Sequence, residues 1–306
     1  MQRPIRRNQG HDLLVIGGGI AGLTAALHGV RRGLSTALVE SEAVYGGQVA
    51  TAASVEGLPI AHPTSGVDLA TALLDAAREA GVTLVSEAAT ALTEGSPAIQ
   101  VATATQVLRA KNVVVATGCR PRLLNVPGEA ELHGRGVSHC ATCDGPFFRG
   151  AEVVVAGGGD AALQEVLTLA ATCGQVSIIA RGRLRARRAY VQQASAKANI
   201  RFIWDSTIDA VLGDGRVTGV RLRNVKSGET SEMACAGVFA YLGGIPNSEI
   251  LPLSVARDDA GFVVTDAAFR TGANGVYAIG AVRAGYCGDV VSAAGEAAAV
   301  VKTIAG

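Results

Sequence analysis

The sequence predicts an α/β protein made of two three-layer domains, each organised around a mainly parallel sheet. Three observations predict it. A strand, a glycine-rich turn, a helix and a second strand follow one another from Asp12 to Glu40. The same succession returns from Val153 to Ile179. After each copy come short antiparallel strands, then an apolar strand ending in glycine, at Thr117-Gly118 and at Gly243-Gly244. A repeat of this size means two domains on one plan, and strands alternating with helices mean parallel pairing.

In the first copy, Asp12 to Ile16 is a buried strand and Gly17-Gly18-Gly19-Ile20-Ala21-Gly22 follows it. The next helix carries Ile20, Leu23, Leu27 and Val30 on one face, and Ser35 to Val39 ends in Glu40. This is the Rossmann-like dinucleotide fingerprint in its proper context. Gly17 makes the tight turn, Gly19 lets backbone approach the pyrophosphate, and Gly22 lets helix and strand pack closely. The helix N-terminus offers free N–H groups to phosphate. Glu40, about 20 residues on, is placed for ribose hydroxyls.

Gly46-Gly47-Gln48 reads locally as a plain turn. Thr64 to Gly81 reads as a helix capped by Ser65, with Leu69, Leu73 and Ala76 inward. Short strands fill Val82 to Thr105, and Asn112 to Ala116 is a continuous apolar strand.

In the second copy, Val153 to Ala156 leads into Gly157-Gly158-Gly159-Asp160-Ala161-Ala162. Its helix carries Leu163, Val166, Leu167 and Ala170 on one face. After the strand at Val176 to Ile179 no acid appears; Arg181, Arg183, Arg185, Arg187 and Arg188 follow. Arginine there pairs with a ribose 2′-phosphate, so NADP is favoured over NAD, although a solvated basic face would look the same. Gly213-Asp214-Gly215 turns a hairpin returning through Thr218 to Asn224, and Val238 to Leu242 reaches Gly243. Gly275 to Gly280 is again strand-to-glycine, and a helix from about Asp289 to Ile304 closes the chain. That last segment completes the first domain, which is therefore discontinuous. The expected division is 1–119 with 246–306, and 120–245, with crossovers near Cys119–Arg122 and Gly244–Pro246.

Between the copies lies Cys140-Ala141-Thr142-Cys143-Asp144-Gly145. Two thiols at this spacing fit half a zinc site, an inert pair or a redox pair. A second ligand pair for zinc is missing, although His133 and His139 are near. A disulfide that thiolate exchange can open, set between two dinucleotide turns, points to electron transfer.

Composition narrows the classes. The 306 residues are 49% hydrophobic and 17% charged, enough for a sizeable core. Aromatics at 4% and a net charge of +1 argue against nucleic acid and acidic membranes as partners. The start, MQRPIRRNQG, is basic with no apolar run behind it, and no apolar run is long enough to span a bilayer. Six cysteines are too sparse for a secreted disulfide scaffold, so a cytoplasmic setting is expected.

On the stretch Cys140 to Phe148 running into Gly157-Gly158-Gly159, with Gly46-Gly47-Gln48, Ala116-Thr117-Gly118 and Gly275 to Gly280, the chain resembles the low-molecular-weight thioredoxin reductases. The resemblance implies FAD in the first domain, NADPH in the second, a homodimer, and a thioredoxin-like protein or a small-molecule disulfide or dithiol as partner. It places Gly17, Gly18, Gly19, Ile20, Ala21, Gly22, Glu40, Gly47, Gln48, Ala89, Ala116, Thr117, Gly118, Gly280 and Ala281 at FAD. Around NADPH it places Gly157, Gly158, Gly159, Asp160, Ala161, Arg181, Arg185 and Gly243. It makes Cys143 the thiol nearest the flavin, Cys140 the nucleophile on the substrate disulfide, and Asp144 the general acid. It implies that the domain carrying both CxxC and NADPH swings on the two crossovers.

The chain departs from that pattern in three places. Gly280-Ala281 stands for the family's Gly-Asp, Cys287-Gly288 for its Arg-Gln, and Ala180-Arg181-Gly182 for its His-Arg-Arg. These departures keep open a dithiol oxidase using oxygen, a reductase fed by another donor such as ferredoxin, and a non-catalytic flavin sensor. Cys119, Cys173 and Cys235 read as small buried hydrophobes, Cys287 as a residue near the flavin edge, and His139 as structural.

Overall fold

The computed structural model describes residues 10–52, 54–55, 57–58 and 64–306. The basic start, residues 1–9, lies outside the described residues, so its reading remains an expectation.

β1 (His11–Ile16) runs into α1 (Ile20–Arg31) and β2 (Thr36–Val39). Gly17 has φ +107° because the chain must reverse between strand and helix. A Cβ on Gly22 would strike the Gly17 carbonyl, so glycine sets how closely α1 lies on the strands. A single 3-10 turn, Gly47–Thr51, precedes α2 (Gly66–Ala80). Ser65 caps α2 by accepting the Asp68 N–H at 3.1 Å. The buried face of α2 is Gly66, Ala70, Leu74 and Ala77, one residue on from the expected face. Leu69 and Leu73 pack at its edge as partly buried neighbours.

β3 (Thr83–Val85), β4 (Ala91–Thr93), β5 (Ile99–Ala102) and β6 (Val107–Val115) complete this stretch. β6 starts before the expected Asn112 because its first half pairs antiparallel with β5. Its second half pairs parallel with β1. The strand β7 (Cys119–Pro121) follows.

The second unit contains β8 (Val137–Ser138), α3 (Ala141–Asp144), β9 (Glu152–Gly157), α4 (Asp160–Ala170), β10 (Gln175–Ile179), α5 (Arg188–Ser195) and β11 (Ile200–Ile203). It continues with β12 (Ser206–Gly213), β13 (Val217–Asn224), β14 (Thr230–Ala234) and β15 (Gly237–Tyr241). A five-stranded sheet has the order β11-β10-β9-β15-β8, and all its pairings are parallel. On one face Ala162, Leu163, Val166 and Leu169 of α4 pack with Phe239. Leu167 and Ala170 sit at that helix's edge, where Leu169 was not expected. On the other face the antiparallel sheet β12-β13-β14 supplies Ile208, Val211, Val217, Val220 and Leu222.

The chain returns through β16 (Gly244–Pro246), β17 (Val276–Ala278) and α6 (Val290–Ala305). β17 pairs with β6, so the late segment completes the first sheet. By contact the chain divides into Met1–Arg120 with Ile245–Gly306, and Pro121–Gly244. The two passages between the units are β7 and β16, which pair with each other. In the first unit α1, α2 and α6 share one core on one face of the sheet. Leu251, Val255 and Val263, from a stretch without helix, join the core on the other face.

One buried ion pair holds the return segment. Glu296 of α6 accepts the Gly280 N–H at 2.7 Å and the Arg283 Nε–H at 3.0 Å, and the Glu296 and Arg283 side chains are 8% and 15% exposed. Arg283 also lies over the Phe269 ring, 5.2 Å from its centroid. Glu296→Ala strands this guanidinium without its carboxylate and is expected to cost about 3–5 kcal/mol. Urea unfolding checks it: the midpoint falls clearly below wild type, and an unchanged midpoint contradicts the assignment.

Candidate redox and dinucleotide sites

The redox turn is built from β8 outward. Ser138 is buried, and its hydroxyl oxygen accepts the Cys140 N–H at 3.0 Å. The same hydroxyl donates to Asp144 Oδ2 at 2.5 Å. Cys140 caps α3, its Sγ accepting the Cys143 N–H at 3.1 Å. Cys140 and Cys143 are joined in a disulfide with Cα atoms 5.3 Å apart. Cys143 is exposed while Cys140 and Asp144 are half-buried. Beneath them the Tyr241 hydroxyl accepts the Ala141 N–H at 2.9 Å. Burial, then the nearby Glu165 carboxylate, push the Tyr241 phenol well above its usual range. His139 donates from Nδ1 to the Ala240 carbonyl at 3.2 Å, an anchoring role, and its Nε2 is buried without a partner.

A cavity of about 520 Å³ lies within the first unit. Of the residues expected at FAD, Gly17, Gly19, Glu40, Gly47, Gln48, Ala89, Ala116, Thr117, Gly118 and Ala281 line it. Gly18 is not among them: it packs under Tyr45 and the Glu40 side chain. Ile20 and Ala21 are core residues, Gly22 is a packing position, and the Gly280 N–H is committed to Glu296. Glu40 accepts the Gly18 N–H at 2.6 Å with Oε2 and the Glu42 N–H at 2.9 Å with Oε1. Ser41 Oγ–H also reaches Oε1, at 3.5 Å, so Oε2 is the oxygen that keeps a lone pair for a ribose hydroxyl. At Gly19 a Cβ would meet nothing within 4 Å, so open space faces that backbone. The cradle and its acid fit an adenine dinucleotide. Ala281 brings no polar side-chain atom to the wall.

Residues that sequence reasoning missed also line this cavity, among them Cys119, Asn247, Glu249, Tyr286 and Asp289. Cys119 is half-buried and accepts from Gln48 Nε2 at 3.2 Å, which corrects its reading as a buried hydrophobe. Gln48 therefore works in the wall and not in a plain turn. Asn247 exchanges hydrogen bonds with Thr117, receiving Thr117 Oγ1–H at 2.7 Å and donating Nδ2–H at 2.9 Å. The last helix begins at Val290 with Asp289 as its cap, so Cys287-Gly288 precedes the helix start.

A second cavity, about 320 Å³, lies within the second unit. Gly157, Gly158, Gly159, Asp160, Ala161, Arg181, Arg185 and Gly243 all line it. Arg183 lines it too, so three arginines face it in spite of Ala180 and Gly182. Arg187 instead pairs with Asp160 at 2.9 Å. Gly159, like Gly19, has open space where a Cβ would stand.

A third cavity, about 870 Å³, also lies within the second unit, beside the redox turn. Asp144, Phe147, Phe148, Arg135 and Arg216 line it, and Phe147 is 83% exposed. Among the described residues no group of three His, Cys, Asp or Glu side chains is arranged for a metal, and no helix is long and apolar enough to cross a membrane.

Thiol labelling of the folded, oxidised protein tests the cysteine environments. Cys173 and Cys235 are buried, and burial pushes the Cys235 thiol up to about 12. Alkylation near neutral pH is expected to mark Cys287 first and to reach Cys235 only after denaturation. Early labelling of Cys235, read by peptide mass, contradicts the packing described.

With this geometry in place, comparison with known proteins is specific. Residues 11–297 match the pyridine nucleotide-disulphide oxidoreductase family. A thioredoxin reductase of Treponema pallidum is 39% identical over 290 residues, covering 94% of each chain. A crystal structure of Lactococcus lactis thioredoxin reductase (FR conformation) superposes with TM-score 0.91 at 35% identity, covering 96% of this chain and 97% of that one. The T. acidophilum thioredoxin reductase structure gives TM-score 0.90 at 31% identity, covering 97% and 98%.

Proposed function

The chain belongs to the pyridine nucleotide-disulphide oxidoreductase family, as a flavin-dependent disulfide oxidoreductase, and from that premise we propose that it passes electrons from NADPH to the Cys140–Cys143 disulfide and on to a thioredoxin-like protein. The observation that carries the reading is the prepared disulfide at Cys140–Cys143, on the same unit as an arginine-lined dinucleotide cavity. When bound, the flavin supplies a two-electron relay between nicotinamide and disulfide.

The residues divide the remaining work. Gly19 and the start of α1 receive the FAD pyrophosphate, and Glu40 a ribose. Gly159 and the start of α4 receive the second dinucleotide, with Arg181, Arg183 and Arg185 facing its 2′-phosphate. Exposed Cys143 accepts the electron pair as the S–S bond opens. Cys140, left as thiolate, attacks the partner disulfide, since the thiolate is the reactive form. Asp144, poised by Ser138, gives the proton that the departing sulfur needs. The cavity beside Asp144 receives the partner's loop, with Phe147 as its apolar contact. The resemblance supports a homodimer and the sparse cysteines a cytoplasmic setting, and sedimentation of the purified protein checks the dimer.

With alanine at 281, the polar side chains left to hold the flavin are those of Glu40, Gln48, Asn247 and their neighbours in the cavity wall. The eroded arginine set motivates the dithiol-oxidase and alternative-donor readings, and Arg183 in the second cavity weighs toward NADPH.

Two experiments test the proposal. NADPH added without oxygen should bleach the flavin and free two thiols; an unbleached flavin at saturating NADPH rejects it. Phe147→Ala should raise the KM for a thioredoxin-like substrate about tenfold, the loss of one buried aromatic contact, with flavin reduction by NADPH unchanged. An unaltered KM removes this cavity as the docking site.

A further inference from the structure

Between β10 and α5 the chain runs from Ala180 to Arg187 without helix or strand. No ladder fixes this loop, yet it carries the arginines that face the second cavity. Its Leu184 and Ala186 pack on the core of the second unit. Among the described residues Arg181, Arg183 and Arg185 form no ion pair, so their guanidinium charges stand uncompensated at the cavity. Gly182 has open space where a Cβ would stand, so no side chain holds the loop at that point.

The loop is held by ties to the glycine turn. The Gly158 carbonyl accepts the Arg185 N–H at 2.7 Å and the Ala186 N–H at 3.2 Å. Asp160, in the first turn of α4, takes the next amide: its Oδ1 accepts the Arg187 N–H at 2.6 Å. Its Oδ2 lies 2.9 Å from Arg187 Nε. A carboxylate that grips one residue by both its backbone and its guanidinium makes a charge-assisted clamp.

The first unit carries the same tie built the other way round. There Glu40, just past β2, reaches back to accept the Gly18 N–H at 2.6 Å, and the position matching Asp160 is Ile20. In each unit the segment after the second strand is bound to the middle glycine of the turn. That segment is where a ribose is read and the turn is where phosphates sit, so the tie sets the distance between the two.

Resting on the functional reading above, we propose that Arg187 is a positioning residue for the nucleotide's 2′-phosphate: through Asp160 it clamps the arginine loop onto the glycine turn, so that Arg181, Arg183 and Arg185 stand where that phosphate lies, while Arg187 itself does not touch the nucleotide. A nucleotide with a bare ribose hydroxyl gains nothing from the loop. The clamp therefore acts on the choice between NADP⁺ and NAD⁺, and not on the pyrophosphate they share.

Calorimetric binding of NADP⁺ and of NAD⁺ to the full flavin-loaded protein tests this, read as the ratio of the two dissociation constants. Wild type is expected to prefer NADP⁺. Arg187→Ala and Asp160→Asn are each expected to lower that preference about three- to fivefold, the scale of an exposed ion pair. A changed charge beside the pyrophosphate acts on both nucleotides and cancels in the ratio, and so does a general loss of stability. The double variant should match either single one, because both break one clamp. An unchanged ratio in Arg187→Ala overturns the proposal. So does a preference that survives or grows in Asp160→Asn, because an Arg187 freed from its carboxylate would then be serving the phosphate itself. A wild type without preference for NADP⁺ overturns it as well. Should one single variant fail to fold, the other decides by the same criterion. The functional reading fails on a different result: wild type that prefers NADP⁺ in binding, yet whose flavin NADPH does not bleach, leaves the clamp standing.

Discussion

Ser138 is one hydroxyl with two obligations, and the redox turn depends on both. Its oxygen receives the Cys140 N–H while its hydrogen goes to Asp144. The backbone entering the disulfide and the acid leaving it are thereby fixed to one buried point on β8. A neutral side chain of this size could not keep the acid beside the sulfurs without also accepting the amide, because a buried N–H left unpaired is costly. Tyr241 does the matching task from below, at the Ala141 N–H. The turn therefore opens and closes its disulfide on a support that need not move with it.

The rest of the second unit explains why that support is rigid. Phe239 and the apolar side of α4 fill one face of the parallel sheet, and the three antiparallel strands fill the other. The first unit uses the same plan with different material: three helices on one face, and the helix-free stretch through Leu251 and Val263 on the other. Each unit has its own cavity at the glycine end of its strands, where parallel sheets place their ligand crevices.

What the sequence made legible follows from how local each constraint is. The glycine turns at Gly17 and Gly157 were readable because a sharp reversal and close packing leave few other residues possible. The hairpin at Gly213 to Gly215 was readable for the same reason. Helix faces were readable to within one position: α2 buries Leu74 together with Gly66, Ala70 and Ala77, whose small size lets the helix sit deeper than a face of Leu69 and Leu73 would allow. Long-range partners were not readable. Asn247, Glu249, Tyr286 and Asp289 reach the first cavity from the returning segment, and no spacing rule ties them to Thr117 or Gln48. Cys119 looked like a core residue because its partner, Gln48, is distant in the chain.

The central claim is that the Cys140–Cys143 pair and the flavin share their electrons. The most direct measurement is a reductive titration without oxygen, counting electrons taken up per flavin until both centres are reduced. The account predicts that wild type takes up twice as many as Cys140→Ser, since one exchangeable disulfide adds a second electron pair to that of the flavin. Equal uptake by the two proteins would contradict it.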